Sequence, residues 1–203
     1  GNTTYTTYNS RGLPQAITEP ATAAHSTSAD SVTTDIYDAD GNMVTQNLPG
    51  GVQVSSSYNA MGDLAGQSGS GAAAPTATRT FTYDTAGRVL TAGTAAAGTS
   101  GTPGYQPATT ESFGYDDRGL LLSAAGAGGT SAFTYNSSAQ PASVADAAGT
   151  SSYTYDSAGR LATDADAASG TTGSYSYNNL DQVTKIAYGT GKNTQSFGYD
   201  TLH

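Results

Sequence analysis

The sequence contains no cysteine and no tryptophan, and only 7 of its 203 residues are lysine or arginine. The absence of cysteine excludes disulfides and cysteine-bound metals. The net charge of −9 argues against a nucleic-acid partner. No stretch approaches the ~18 consecutive apolar residues of a membrane-spanning helix, so the sequence predicts no membrane insertion.

Large apolar residues are also scarce, because only 24 of the 203 residues are Leu, Ile, Val or Phe. Alanine, glycine, serine and threonine dominate instead. This composition is typical of a linker or a disordered stalk. The sequence nevertheless contains 14 tyrosines, and their regular placement favours a folded repeat protein.

A short tyrosine-centred phrase recurs along the chain. It reads FTYDTAGRV at residues 81–89, FGYDDRGLL at 113–121 and YTYDSAGRL at 153–161. Tyrosine followed by Asp or Asn occurs nine times, with a basic period of about 20–22 residues that extra residues lengthen in three places. We therefore predict that residues 1–203 form nine hairpin repeats. The anchor tyrosines are Tyr8, Tyr37, Tyr58, Tyr83, Tyr115, Tyr135, Tyr155, Tyr177 and Tyr199.

Each repeat reads as a β-hairpin. An aromatic residue two positions before the anchor predicts a strand with its aromatics on one face. The following Asp or Asn suits the first position of a type I turn, and the glycine three residues later supplies a positive φ. The fold class is therefore all-β, with sixteen to eighteen antiparallel strands in a curved spiral sheet. The predicted turn and ladder positions are Tyr83, Asp84, Gly87, Arg88, Tyr115, Gly119, Tyr155, Asp156, Gly159 and Arg160.

Two turns depart from the glycine rule. The position that is glycine in the other turns is Asp181 in one repeat and Ala139 in another, where Pro141 follows closely. Aspartate tolerates the left-handed region better than most residues. The repeat at Tyr135 is therefore predicted to have the least favourable turn.

Three stretches interrupt the period, at residues 14–34, 65–80 and 91–110. They are rich in Ala, Gly, Ser, Thr and Pro, a composition that predicts loop inserts. Inserts in repeat proteins lie on one face or rim, which is sometimes the binding face. Tolerated surface loops are the simpler interpretation.

An acidic turn, DADGN, resembles half of a calcium loop through Asp38, Asp40 and Asn42. Its glycine comes two places too early for an EF-hand, and Pro49 stands where that loop needs a bidentate glutamate. The same residues form the ordinary turn of a repeat. We predict a turn there rather than a metal site.

Other polar residues do not assemble into a catalytic pattern. Asp164 and Asp166 form an acidic pair without the cleft that a glycosidase needs to raise one carboxyl pKa. His25 and His203 lie in an insert and at the last residue, and neither is placed for a catalytic triad. We predict no catalytic, cofactor-binding or metal-binding residues and no enzymatic activity.

The run Y-x-Y-D-x-x-G-R-L, nearly complete at residues 153–161, resembles the YD repeat of the Rhs and teneurin families and of insecticidal toxin complexes. The resemblance implies hairpins wound into a hollow shell. It also implies that this chain is a non-catalytic segment of a bacterial shell that encloses or displays a C-terminal, toxin-like cargo. An extracellular or cell-surface adhesin that binds carbohydrate is the alternative.

The resemblance implies a secreted or cell-surface bacterial protein. Both ends of the sequence fall within repeats, which predicts a piece of a longer YD-repeat chain. The expected partners are the rest of that chain, an enclosed toxin domain or a surface carbohydrate. Open strand edges also predict self-association of the isolated piece.

Overall fold

A computed structural model describes residues 3–21, 31–71, 76–189 and 193–200. The chain divides into two compact units, Gly1–Glu111 and Ser112–His203. Within the described ranges there are seventeen strands and no α-helix. No helix of these ranges is long and apolar enough to span a membrane.

The first unit is a meander in which each strand pairs antiparallel with the next one in sequence. A short 3-10 turn at Pro49–Gly51 joins its fourth and fifth strands. The eight strands are β1 (Tyr5–Tyr8), β2 (Pro14–Thr18), β3 (Val32–Tyr37), β4 (Met43–Leu48), β5 (Val52–Tyr58), β6 (Leu64–Ser70), β7 (Arg79–Tyr83) and β8 (Val89–Thr94).

The second unit is a meander of the same kind. The first of its strands, β9, starts shortly before the boundary between the units. The nine strands are β9 (Thr109–Tyr115), β10 (Leu121–Gly126), β11 (Gly129–Tyr135), β12 (Pro141–Asp146), β13 (Gly149–Tyr155), β14 (Leu161–Asp166), β15 (Thr171–Tyr177), β16 (Val183–Tyr188) and β17 (Asn193–Ser196).

The prediction of an all-β chain of antiparallel hairpins is confirmed. Each of the first eight anchor tyrosines ends one strand, and the next strand starts six residues after the anchor. Tyr83 lies opposite Val89, and Tyr155 lies opposite Leu161. The register shifts just before the anchor in both hairpins, which is the bulge that a three-residue loop introduces.

The two faces of the second unit differ in chemistry. Strand alternation puts Tyr153 and Tyr155 on one face, here called the tyrosine face, and Thr154 on the other. Across the hairpin, the Thr154 and Thr163 hydroxyl oxygens are 2.6 Å apart. Most aromatic side chains of the tyrosine face are half-buried, and Ala97 is the single apolar residue of the described chain that is buried. These aromatic side chains therefore remain partly accessible to solvent.

The three predicted inserts each begin with a strand. Strand β2 starts the first, and β6 and β8 occupy the early parts of the others. A hairpin needs a second strand after its turn, so composition placed these boundaries too early. Parts of two inserts, residues 22–30 and 72–75, lie outside the described residues.

Candidate functional site

Each hairpin turn is closed by its first polar side chain. In the turn after Tyr83, Asp84 Oδ1 accepts the backbone N–H groups of Ala86 at 2.8 Å and Arg88 at 2.9 Å. Arg88 Nε donates to Asp84 Oδ2 at 2.6 Å. The backbone N–H of Gly87 donates to the Asp84 carbonyl at 3.1 Å. One carboxylate thus satisfies two backbone donors and orients the arginine.

Asparagine performs the same task where it replaces aspartate. Asn136 Oδ1 accepts the N–H groups of Ser138 and Gln140, and its Nδ2 donates to Gln140 Oε1 at 3.0 Å. Asn178 donates in the same way to Gln182 at 2.7 Å. In six turns the first and fifth residues form a complementary side-chain pair. These pairs are Asp38–Asn42, Asn59–Asp63, Asp84–Arg88, Asn136–Gln140, Asp156–Arg160 and Asn178–Gln182.

The fourth turn residue is left-handed throughout. Gly87, Gly119 and Gly159 have φ values of 77°, 86° and 79°. Ala139 and Asp181 take the same region, at φ 62° and 60°. The Ala139 N–H still donates to the Asn136 carbonyl at 3.1 Å. The alanine turn therefore has the same backbone hydrogen bonds, and its cost is the Cβ strain alone.

Hydrogen bonding lowers the pKa of the turn carboxyls. For Asp156 the largest cause is the side-chain bond from Arg160, followed by the backbone N–H of Arg160. For Asp84 it is the backbone N–H of Arg88. For Asp38 it is the side chain of Asn42. Each bond favours the ionised carboxylate, so these turns are held by charged acceptors at neutral pH.

The anchor tyrosines connect successive hairpins. The hydroxyl of Tyr155 donates to the carbonyl of Pro141 at 2.9 Å. Pro141 lies directly opposite Tyr135, the anchor of the preceding hairpin. The same tie, from a hydroxyl to the carbonyl six residues after the preceding anchor, recurs along the described chain. The pairs are Tyr58–Met43, Tyr83–Leu64, Tyr135–Leu121, Tyr155–Pro141, Tyr177–Leu161 and Tyr199–Val183, at 2.7–3.0 Å.

Long turn side chains form a second connection between repeats. Arg160 bonds Asp156 in its own turn and also bonds Asp181 of the next turn at 2.7 Å. Its guanidinium carbon lies 4.6 Å from the centroid of the Tyr177 ring, a cation–π contact. In another turn, Gln140 Nε2 donates to the Gly159 carbonyl at 2.7 Å. Neighbouring turns are thus linked to one another at the same end of successive hairpins.

The acidic residues considered for chemistry have structural partners. Asp38 Oδ1 accepts the N–H groups of Asp40 and Asn42. Asp164 Oδ2 accepts the Tyr175 hydroxyl at 3.1 Å, and burial, followed by that bond, raises the pKa of Tyr175. Asp166 instead accepts the N–H of Ser169 at 2.7 Å. The described residues contain no group of three metal-ligating side chains.

Sequence reasoning missed the inter-repeat ties and several turn partners. His25 and His203 lie outside the described residues. The pairing of Gln140 and Gln182 with a turn asparagine was predictable, since each stands four residues after an asparagine. The carbonyl acceptors of the tyrosine hydroxyls carry no residue signal, because every residue has a carbonyl.

A family model described as RHS Repeat matches residues 140–172. No curated protein matches the chain. These matched residues span the whole hairpin of β13 and β14, with its Asp156–Arg160 turn.

Solved structures of toxin complexes also match, at low similarity. TcdB2-TccC3-TEV matches with a TM-score of 0.35 and 12% identity over 98% of this chain and 13% of that chain. TcdB2-TccC3-Cdc42 matches with a TM-score of 0.33 and 11% identity over 91% of this chain and 12% of that chain. A Photorhabdus luminescens Tc holotoxin pore matches with a TM-score of 0.32 and 12% identity over 91% of this chain and 12% of that chain. The chain therefore spans 12–13% of the length of these structures.

Proposed function

Because the chain carries the RHS repeat, also called the YD repeat, we propose that it is a wall segment of a bacterial RHS-like shell. In this role it encloses or displays a toxin-like cargo that belongs to the same longer polypeptide. The segment itself carries no catalytic activity, and the assembled shell acts outside the cell that produces it.

The tie between each anchor tyrosine and the preceding hairpin is the observation that supports this role most strongly. A single hairpin is marginally stable in water. This recurring tie makes successive hairpins depend on one another, as in other repeat proteins. The side chains that recur are used for turns and ties, as expected of a wall.

The tyrosine face supports enclosure of a polypeptide. In the second unit, a shallow depression of about 520 Å³ is lined mainly by apolar and aromatic side chains, among them Phe133, Val144, Tyr153 and Leu161. Such a surface suits contact with the apolar side chains of an unfolded cargo, because burial of apolar area is favourable and needs no fixed geometry.

Protease protection tests the proposal in the whole polypeptide that contains this segment. We expect the sequence downstream of the repeats to survive protease while the wall is intact. The double variant Tyr155→Phe, Tyr177→Phe removes two adjacent ties and should speed digestion of that downstream sequence. Tyr153→Phe is the matched control, because phenylalanine already occupies that position in the repeat at Tyr135.

Equal digestion of the downstream sequence in the presence and absence of the repeats would contradict enclosure. Specific binding of the 203-residue chain to cell surfaces, combined with such digestion, would favour the adhesin instead.

A further inference from the structure

One pocket of the first unit lies between the sheet and two of the inserts. Its volume is about 390 Å³, and its lining includes Gln67, Arg79, Thr94 and Gln106. We propose that this pocket binds an acidic sugar, with the carboxylate of a uronic acid held by Arg79. The proposal goes beyond the shell function and does not depend on it.

Arg79 occupies an unusual position for a basic residue. It stands four residues before the anchor Tyr83, on the same face of the strand as Phe81 and Tyr83. It is the only basic residue at this position among the nine repeats. The corresponding residues elsewhere are Thr4, Thr33, Val54, Glu111, Ser131, Ser151, Gly173 and Gln195. The repeat itself therefore does not require an arginine here.

The other arginines are committed to turns. Arg88, Arg118 and Arg160 bond the first aspartate of their own turns, and Arg11 donates to backbone carbonyls of the neighbouring turn. In the described part of the chain, the Arg79 side chain makes no hydrogen bond or ion pair. Its five N–H donors are thus available to a ligand.

Cross-strand pairing brings polar side chains next to Arg79. In the sheet, Arg79 lies directly opposite Gln67 on one side and Thr94 on the other. Directly opposite residues have Cβ atoms about 4.5–5.5 Å apart, so their functional groups reach a shared ligand. Two donors of different chemistry, a guanidinium and a carboxamide, therefore open into one pocket.

The third insert, residues 91–110, supplies a fixed wall. Ala97 and Gln106 exchange two backbone hydrogen bonds of 2.9 Å, which close the insert into a bridge. Ala97 is buried, so the bridge is anchored by packing as well. Gln106 is consequently held beside the pocket by its backbone rather than carried on an unconstrained loop.

The described part of the second insert, residues 65–80, also lies close to the sheet. Gly69 accommodates Thr76, because a Cβ built on Gly69 would lie 2.8 Å from Thr76 Cγ2. Both residues line the pocket. Residues of two inserts therefore line the same pocket as Arg79, the one basic residue at its position in the repeat.

The side chains that line the pocket indicate which class of ligand it binds. A guanidinium binds a carboxylate through two parallel hydrogen bonds. Gln67 and Gln106 carboxamides both donate and accept, as sugar hydroxyls require, while Val54 and Ala77 offer small apolar surfaces to the C–H groups of a sugar ring. A pocket volume near 390 Å³ is in the range of small-molecule sites. A uronic acid combines these features in one ring.

Titration of the 203-residue chain with glucuronate and galacturonate, followed by NMR or calorimetry, tests the site. We expect saturable binding of at least one uronate, and much weaker binding of glucose, which lacks the carboxylate. Arg79→Gln should weaken uronate binding by about tenfold or more, as loss of a charge-assisted pair does. Gln106→Ala should also weaken it, because the proposal requires the third insert.

Lys185→Gln is the matched control, because it removes the same charge from a strand of the other unit and should leave the affinity unchanged. Melting temperatures of all variants establish that each is folded. Equal loss of affinity in Lys185→Gln and Arg79→Gln would show that the loss comes from the change in net charge, and would overturn the site. Binding of acetate or N-acetylglutamate as tight as that of the uronates would overturn the assignment to a sugar.

Discussion

The Tyr177 hydroxyl donates a hydrogen bond of 2.8 Å to the backbone carbonyl of Leu161, sixteen residues earlier. Leu161 lies opposite Tyr155, the preceding anchor. Each anchor of this kind therefore closes its own hairpin with its backbone and holds the previous hairpin with its hydroxyl. This double use explains why tyrosine, rather than phenylalanine, occupies the anchor.

Removal of one such hydroxyl should weaken the protein measurably. We expect Tyr177→Phe to lower the free energy of unfolding by about 1 kcal/mol, because it leaves the Leu161 carbonyl without its donor. Tyr153→Phe should change it little, since phenylalanine occurs naturally at that position in other repeats. Urea denaturation of both variants measures the difference. Equal effects would show that the hydroxyl tie contributes nothing to stability.

The left-handed turn position predicts opposite effects at two sites. Gly159→Val should be strongly destabilising, because a β-branched residue at a φ near 79° is an outlier. Ala139→Gly should be stabilising by a few tenths to about 1 kcal/mol, since it relieves the strain of alanine at φ 62°. Thermal melting of the two variants measures both changes. If both substitutions change the melting temperature equally, the left-handed conformation at this position does not determine the stability of the turn.

The complementary turn pairs should be exchangeable. Asp156→Asn alone places an amide against Arg160, and Arg160→Gln alone removes the ion pair, so each should lower the melting temperature. The double variant recreates the Asn–Gln pair found at Asn136–Gln140 and should recover part of the loss. Arg160→Gln also removes the bond to Asp181, so full recovery is not expected.

A double-mutant cycle of the four proteins gives the coupling between residues 156 and 160. Additive losses, with no recovery in the double variant, would contradict the pairing as the basis of turn stability.

Acid should destabilise the turns. The folded-state pKa of Asp84 and of Asp156 lies below the ordinary value of 3.8, so their ionised forms favour folding. That contribution is fully present above about pH 5 and is lost as the pH falls through the lowered folded pKa values. We expect the melting temperature to fall in this window. It should fall less in the Asp156→Asn, Arg160→Gln double variant, which lacks one of these carboxylates. If the variant and the unchanged protein lose the same amount of melting temperature in acid, the loss comes from other groups.

Calcium should not stabilise the acidic turn. Asp38 already accepts three hydrogen bonds, two from backbone N–H groups and one from Asn42 Nδ2. We expect calcium, and then chelator, to leave the melting temperature unchanged. A saturable stabilisation that disappears in Asp40→Asn would identify a metal site instead.

The hairpins were predictable because their chemistry is local. The Asp84 carboxylate and the N–H groups that it accepts lie within five consecutive residues, and Gly87 supplies the one backbone conformation that the turn needs. Strand alternation likewise assigned the tyrosine face from residue spacing alone. Insert boundaries were less predictable, since a strand of small residues such as β6 has the composition of a loop.

The sequence by itself therefore determined the hairpin, its turn and the period at which both recur. Only the tertiary structure decided which carbonyl each tyrosine hydroxyl reaches, because the register between hairpins depends on how the connecting segments pair. It likewise decided that Arg79 and Gln106, 27 residues apart in the sequence, line one pocket. The physical reason is range: contacts within a turn follow from neighbouring residues, whereas contacts between hairpins and inserts require the assembled sheet to position both partners.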